Sequence, residues 1–310
     1  MTSKKRYKSF TNTDELDGIK ITPERKNQSE HINWFPGHMN KAIREIKAKL
    51  KMIDLVLELR DARAPMSTGN SALIEAIGNK NRLIIFNKSN LVDEKDLINW
   101  KKWLKKNSIN FLFINALEKD SAQRVITKAK ELILARHEGE VDAKKKEKFS
   151  LMMIGLPNTG KSTLINSIAG RKSTKTADKP GYTRRQQWIR VEETLELMDT
   201  PGIMPPKIAT YKEGLYLAAI HAIPSKIVDE ETTACFLIKY LLEKKSLEFQ
   251  QRYNLNSLEV DYLTILPEIA VYRKCLIKGG LIDYERVYRI VTQDFREGKL
   301  GLHCFQYPKE

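Results

Sequence analysis

Residues 149–166 read FSLMMIGLPNTGKSTLIN, an apolar run that enters a short Gly-rich loop and leaves it as a helix. No other stretch restricts the fold as much. Gly155-Leu156-Pro157-Asn158-Thr159-Gly160-Lys161-Ser162 fits G-x-x-x-x-G-K-[ST], a loop whose backbone N–H groups wrap a phosphate at the positive end of a helix. Such a loop needs a buried strand before it and a helix packed behind it, which means an α/β sheet. Gly155, Pro157, Asn158, Thr159 and Gly160 within the pattern, and Thr163 just after it, are expected to line the anion. Lys161 is expected to reach the β/γ oxygens and Ser162 to ligate Mg²⁺.

The rest of the chain supplies that sheet. IDLVLEL, RLIIF and NFLFINA are three apolar runs upstream, each followed by a helical pattern such as DEKDLINWKKWLKKN with Leu97, Trp100 and Leu104 on one side. QQWIRVE and TLELMD downstream read as a hairpin turning at Glu192-Glu193. Alternating strand and helix implies a mainly parallel sheet with helices on both faces. After Pro205-Pro206, helical runs such as ETTACFLIKYLLEKK dominate. The expected organisation is a mobile basic tail over 1–30, an α/β domain over 31–206 and an all-helical C-terminal domain over 207–310, with a linker at Glu138 to Lys148.

Other strand ends carry chemistry that suits the same ligand. Asp199-Thr200-Pro201-Gly202 closes TLELMD. The carboxylate suits Mg²⁺ coordination, and the Gly202 N–H can meet a γ-phosphate. Thr183, in KPGYTRRQ, is a hydroxyl that can close on Mg²⁺ when that phosphate is present. Asn87-Lys88-Ser89-Asn90 follows RLIIF where a guanine-reading corner belongs. Asn115-Ala116 ends the next strand, with the Ala116 N–H free to donate to a guanine carbonyl. All the elements of a GTPase are therefore present, but the base reader precedes the phosphate loop, so the order is circularly permuted.

Two positions depart from the usual chemistry. Asn90 stands where a carboxylate would accept from both guanine N1–H and the exocyclic amine. An amide offers one acceptor and sets its NH₂ against a donor, which weakens guanine binding or tilts preference toward xanthine. Asp93 lies three residues too far along to replace it. The position after Asp-x-x-Gly, where many GTPases place a water-orienting Gln, is Ile203, so help with hydrolysis must come from elsewhere.

WFPGHMNKAIREI, DARAP, GLPNTGKSTLIN, KPGYTRRQQW, LMDTPGI and CLIKGGLIDYERVYRIVTQDFREGKLG, in this order from about residue 31 to the end, resemble the circularly permuted GTPases of the YlqF/YawG family. The resemblance implies GTP hydrolysis coupled to late assembly of the bacterial large ribosomal subunit. It also implies binding of the precursor particle and its ribosomal RNA, Mg²⁺, K⁺ dependence and activation by the particle. It assigns the missing catalytic role to His38 of Pro-Gly-His-Met. The Pro-Asn-x-Gly-Lys loop resembles those of potassium-activated GTPases and makes Asn158 the K⁺ ligand. Lys161, Thr183 and Gly202 complete the expected catalytic set.

Charge fits a polyanionic partner. The formal net charge is +15, and nearly all of it falls on residues 1–206, so phosphate attraction is expected from the tail and the α/β body. Local clusters include Lys101-Lys102 with Lys105-Lys106, Arg171-Lys172 and Arg184-Arg185. In the nearly neutral C-terminal third, Arg273, Lys274 and Lys278 are the RNA-contact candidates. No run reaches the roughly 18 apolar residues of a membrane span. Cys235, Cys275 and Cys304 have no metal spacing, which suits a reduced cytoplasmic protein, and a monomer is expected. A GTPase acting on another RNA such as transfer RNA stays open as an alternative. So do a nucleotide-dependent RNA-binding module with little hydrolysis, and an ATPase.

Overall fold

The computed structural model describes residues 37–137, 148–170, 187–205 and 207–308. The tail over 1–30, most of the linker, Arg171-Lys172, Arg184-Arg185 and Thr183 lie outside the described residues.

Continuous apolar runs make strands that must be covered on both faces. Leu55–Asp61 (β1) is buried at all seven positions, and Arg82–Asn87 (β2) and Phe149–Gly155 (β4) are nearly as enclosed. With Phe111–Phe113 (β3), Gln187–Glu192 (β5) and Leu195–Asp199 (β6) they form one sheet in the order β3-β2-β1-β4-β6-β5. Only β5 runs antiparallel, as the hairpin partner of β6. β1 pairs with β4 from Leu55↔Leu151 to Leu59↔Gly155, while chain order runs away from that seam on either side. The loops that leave β1 and β4 therefore diverge, opening the crevice at the C-terminal strand ends where parallel sheets bind ligands.

Side chains alternate between the faces. Leu55, Leu57 and Leu59 pack with Val125 and Ile126 of Ser121–His137 (α4) and Ile165 of Lys161–Ala169 (α5). Val56, Met152, Ile154 and Met198 point the other way. They share one core with Ile46 of Gly37–Lys49 (α1), Leu73 of Ser71–Ile77 (α2) and the helices beyond residue 210. Those helices are Tyr211–Ala219 (α6), Glu230–Glu243 (α7), Leu247–Tyr253 (α8), Tyr262–Tyr272 (α9) and Tyr284–Arg296 (α10). Thr210, Asp229, Ser246, Asp261 and Asp283 cap their N-termini through the side chain, each satisfying an otherwise unpaired N–H. On the far edge, Glu94–Lys106 (α3) buries Trp100 and Leu104.

Three details refine the sequence reading. β3 is only three residues long: Ile114 still bonds through its backbone to Phe86 and Ser89, but Asn115 and Ala116 turn away to shape a loop at the crevice. α1 begins at Gly37, so His38 of Pro-Gly-His-Met stands in its first turn. In the region expected to be wholly helical, an isolated antiparallel bridge joins Leu276 to Ile282, around a turn in which Gly279 and Gly280 have positive φ. After α10 the chain returns to the loop that follows β1, where the Phe305 N–H donates to the Arg63 carbonyl at 2.8 Å.

Candidate nucleotide site

The loop between β4 and α5 is built around close approach. Gly160 has φ 98°, and a Cβ there would lie 2.2 Å from Asn87 Nδ2; a Cβ at Gly155 would lie 2.5 Å from the Leu59 carbonyl oxygen. Only glycine fits either place. Thr159 Oγ1 donates to the Leu156 carbonyl at 2.9 Å, closing the loop on itself. Lys161 Nζ donates back to the Gly155 and Leu156 carbonyls at 3.2 and 3.0 Å. Burial lowers its pKa to about 8, against the opposing pull of Asp199. The ammonium is thus held in the loop by two carbonyls, and an incoming phosphate would offer it full negative charge instead. Ser162 and Thr163 follow in the first turn of α5, with Thr163 exposed.

Asp199 is buried at the end of β6, in register with Met153 of β4. Thr200 Oγ1 donates to the Met153 carbonyl at 2.6 Å and fixes the turn that follows. That turn brings Gly202 against the phosphate loop: a Cβ there would be 3.0 Å from Pro157 N and 3.1 Å from Lys161 Nζ. Ile203 N–H donates to the Gly155 carbonyl at 3.3 Å, and the Ile203 side chain is 1% exposed. It faces the core, so this position supplies no group to a water molecule. Asn70, the N-cap of α2, donates to the Ile203 carbonyl at 2.7 Å and ties the turn to the loop after β1.

Asn87 is buried and bridges two loops. Its Nδ2 donates to the Thr159 carbonyl at 2.8 Å, and its Oδ1 accepts the Ala116 N–H at 2.9 Å. The N–H expected to meet a guanine carbonyl is therefore engaged by Asn87. Asn115 shapes the same turn, its Oδ1 accepting from Leu117 N–H at 3.2 Å. Lys88 has φ 59°, and its Nζ donates to the Asn158 carbonyl at 2.9 Å while pairing with Asp61 at 3.0 Å. Asn90 is exposed in the 3₁₀ turn Ser89–Leu91. Asp93 is used as the N-cap of α3, accepting from Lys95 N–H at 2.8 Å, so it does not substitute for Asn90.

Asp61 and Arg63, at the end of β1 and in the loop after it, were not among the expected site residues. Asp61 and Arg63 are both buried, joined by Arg63 Nε to Oδ1 at 3.0 Å and Nη2 to Oδ2 at 2.9 Å. Burial alone would raise the Asp61 pKa, but Arg63 and then Lys88 outweigh it and hold the carboxyl far below its ordinary range. Burial conversely lowers Lys88, with Asp61 opposing. The signal available was a run of charges, Glu58, Arg60, Asp61 and Arg63, at the end of an otherwise apolar strand and just beyond it. Asn158 carries a second bridge. At φ 57° its Nδ2 donates to the His221 carbonyl at 2.8 Å, linking the phosphate loop to the segment after α6. The side-chain oxygen is the atom a K⁺ ion would require.

The Ser162 hydroxyl and Asp199 carboxylate are hard oxygen donors that suit Mg²⁺, an ion that takes few protein ligands and fills its shell with water and phosphate oxygens. Thr183 and the His38 side chain lie outside the described residues. Asn87, Lys88, Ala116, Pro157 to Lys161 and Gly202 are brought together at one end of the sheet. No helix among the described residues is long and apolar enough to cross a membrane.

Residues 150–265 match the family described as 50S ribosome-binding GTPase. The match begins at β4 and leaves β1 to β3, with the base-reading corner, outside it. The chain is 38% identical over 281 residues to ribosome biogenesis GTPase A of Priestia megaterium, covering 90% of this chain and 98% of that one. It is 32% identical to mitochondrial ribosome-associated GTPase 1 of Bos taurus, covering 86% of each. The crystal structure of GNP-bound YlqF from Thermotoga maritima superposes with a TM-score of 0.62 at 25% identity, over 87% of this chain and 99% of that one.

Proposed function

The chain belongs to the ribosome biogenesis GTPase A (YlqF) family of circularly permuted GTPases, and we propose that it couples GTP hydrolysis to late assembly of the large ribosomal subunit by binding the precursor particle and its ribosomal RNA. GTP hydrolysis is the family's reaction. The large-subunit precursor as partner, activation by that particle, action as a monomer and a cytoplasmic site of work are our reading.

The observation that carries it is Ile203. The residue after Asp-x-x-Gly is apolar, buried and tied by its backbone to Gly155, so the free protein lacks the usual water-orienting group and hydrolysis waits for a partner to complete the site. We assign that completion to His38, whose near-neutral reference pKa lets it orient water or carry charge. Within the chain, the loop N–H groups and Lys161 hold the phosphates, Gly202 faces the γ-phosphate, and Asn87, Lys88, Asn90, Asn115 and Ala116 form the base corner. Ser162, Asp199 and Thr183 would hold Mg²⁺, which neutralises charge on the β and γ oxygens. Asn158 would hold K⁺ beside the phosphates. The permutation leaves only a short link between Gly202 and α6, so a γ-phosphate contact can bias the helical domain over 207–310.

The test is sedimentation with large-subunit precursors, combined with turnover of His38→Ala. Wild type should co-sediment when loaded with a GTP analogue and turn over faster with particles. The variant should bind nucleotide normally but lose the stimulation. Equal stimulation of both would remove His38 from the mechanism, and failure to co-sediment would remove the large subunit.

A further inference from the structure

The C-terminal segment Leu300 to Tyr307 lies far in sequence from the nucleotide site, yet it bonds to the two loops that support the base-reading corner. The His303 N–H donates to the Leu91 carbonyl at 3.1 Å. Leu91 immediately follows Asn90, so this bond pins the end of the 3₁₀ turn that presents Asn90. Gln306 grips the loop after β1: its Oε1 accepts from the Met66 and Ser67 N–H groups at 2.9 and 3.0 Å, and its Nε2 donates to Ser67 Oγ at 2.8 Å. One glutamine side chain thus satisfies three groups of a loop some 240 residues away in sequence.

That loop opens with Asp61, whose Oδ2 holds Lys88 at 3.0 Å. Lys88 in turn reaches the Asn158 carbonyl of the phosphate loop, and Ala62 N–H donates to the Asn87 carbonyl at 2.8 Å. Contacts are continuous from Gln306, through the loop after β1, to both residues that begin the base reader. Directly beside Gln306 the segment is anchored in the helical region. Phe305 stacks on Tyr216 of α6 with centroids 4.9 Å apart and on Phe295 of α10 at 5.4 Å. Arg63 closes a parallel path, donating to the Arg296 carbonyl at 3.3 Å.

We propose that the C-terminal segment Leu300 to Tyr307 is a positioning strap for the nucleotide's base, with Gln306 and Asp61 as positioning residues that act through Lys88 and the Ser89–Leu91 turn. A partner that displaces α6 or α10 pulls on Phe305, loosens the strap and lowers nucleotide affinity. By reciprocity, bound nucleotide stiffens the docking of the helices. This coupling uses the side of the site that reads the base. It is separate from the γ-phosphate side at Gly202, so it acts on GDP as well as GTP.

The inference rests on the guanine-nucleotide site and is tested on the full chain by release of a fluorescent GDP analogue, with melting temperature recorded alongside. Gln306→Ala should speed release by about threefold to tenfold. Gln306→Glu keeps the acceptor for both backbone N–H groups, and the Ser67 hydroxyl can donate to it, so release should return to within about twofold of wild type. Asp61→Asn should speed release by about tenfold, and adding Gln306→Ala to it should add little, because both act on one path. Gln306→Ala with a lowered melting temperature but wild-type release would overturn the proposal. So would a Gln306→Glu variant as fast as Gln306→Ala, or effects that multiply in the double variant. Should Asp61→Asn fail to fold, the two Gln306 variants decide alone. Wild type that fails to bind the GDP analogue would instead refute the nucleotide site itself.

Discussion

Replacing Asn90 with Asp should tighten guanine binding without disturbing the scaffold. Asn90 is exposed in the middle of a turn fixed on either side by backbone bonds: Ser89 N–H to the Ile114 carbonyl at 3.0 Å, Leu91 N–H to the Lys88 carbonyl at 3.0 Å, and His303 N–H to the Leu91 carbonyl at 3.1 Å. None of these involves the Asn90 side chain, so the change in folding stability should stay within about 0.5 kcal/mol. The change in binding is larger. A carboxylate accepts two charge-assisted bonds from the guanine edge, where the amide accepts one and opposes the other donor. The difference is about 1.5–3 kcal/mol, or roughly ten- to a hundredfold in Kd. Calorimetric titration of wild type and Asn90→Asp with GDP and with the xanthine analogue reads it directly. The variant should gain for guanine and lose for xanthine, whose second carbonyl suits the amide. Equal guanine affinities would mean that Asn90 does not face the base, and the assignment of this corner would fall.

Asn87→Ala removes the bridge between the Thr159 carbonyl and the Ala116 N–H. With both groups buried and unpaired, we expect a loss of about 2–4 kcal/mol in stability, read by urea unfolding, together with weakened nucleotide binding. Lys161 supplies a pH signature. Its folded pKa of about 8 lies below the unfolded value, so the unfolded chain binds more protons between the two. The Lys161 contribution to the stability of the nucleotide-free protein, read as the difference between wild type and Lys161→Met, should therefore rise as pH climbs from about 8 toward 10.5, while buried Cys and Tyr groups whose pKa values burial raises act in the opposite sense above about pH 9. Lys161→Met should raise the melting temperature at neutral pH and eliminate nucleotide binding. If Asn158 holds K⁺, hydrolysis in K⁺ should exceed that in Na⁺ several-fold, and equal rates would remove the ion from the account.

The sheet and the phosphate loop were legible because they rest on local pattern. FSLMMIG is an apolar run of strand length, and GLPNTGKST has one common use. The position of Asn87-Lys88 before the loop fixed the permutation. What was not legible rests on contacts across long separations. Gln306 resembles any polar residue near a chain end until the loop after β1 folds against it. Asp61 and Arg63 look like a solvated turn, because nothing local says that α10 and the C-terminal segment will bury them. Asn158 was read for a cation, and its bond to the His221 carbonyl depends on where α6 ends. The Ala116 N–H was assigned to the base from its strand-end position. Its capture by Asn87 follows from the packing of two loops whose register the sequence does not show.

We propose that a ribosomal precursor completes the catalytic site of this GTPase. The most direct measurement is the rate of GTP hydrolysis with and without purified large-subunit precursor particles, in K⁺ and Mg²⁺ at saturating nucleotide. Turnover should be slow for the free protein, at least tenfold faster with precursors, and unstimulated by small-subunit particles. Fast turnover by the free protein, or equal stimulation by either particle, would contradict this proposal.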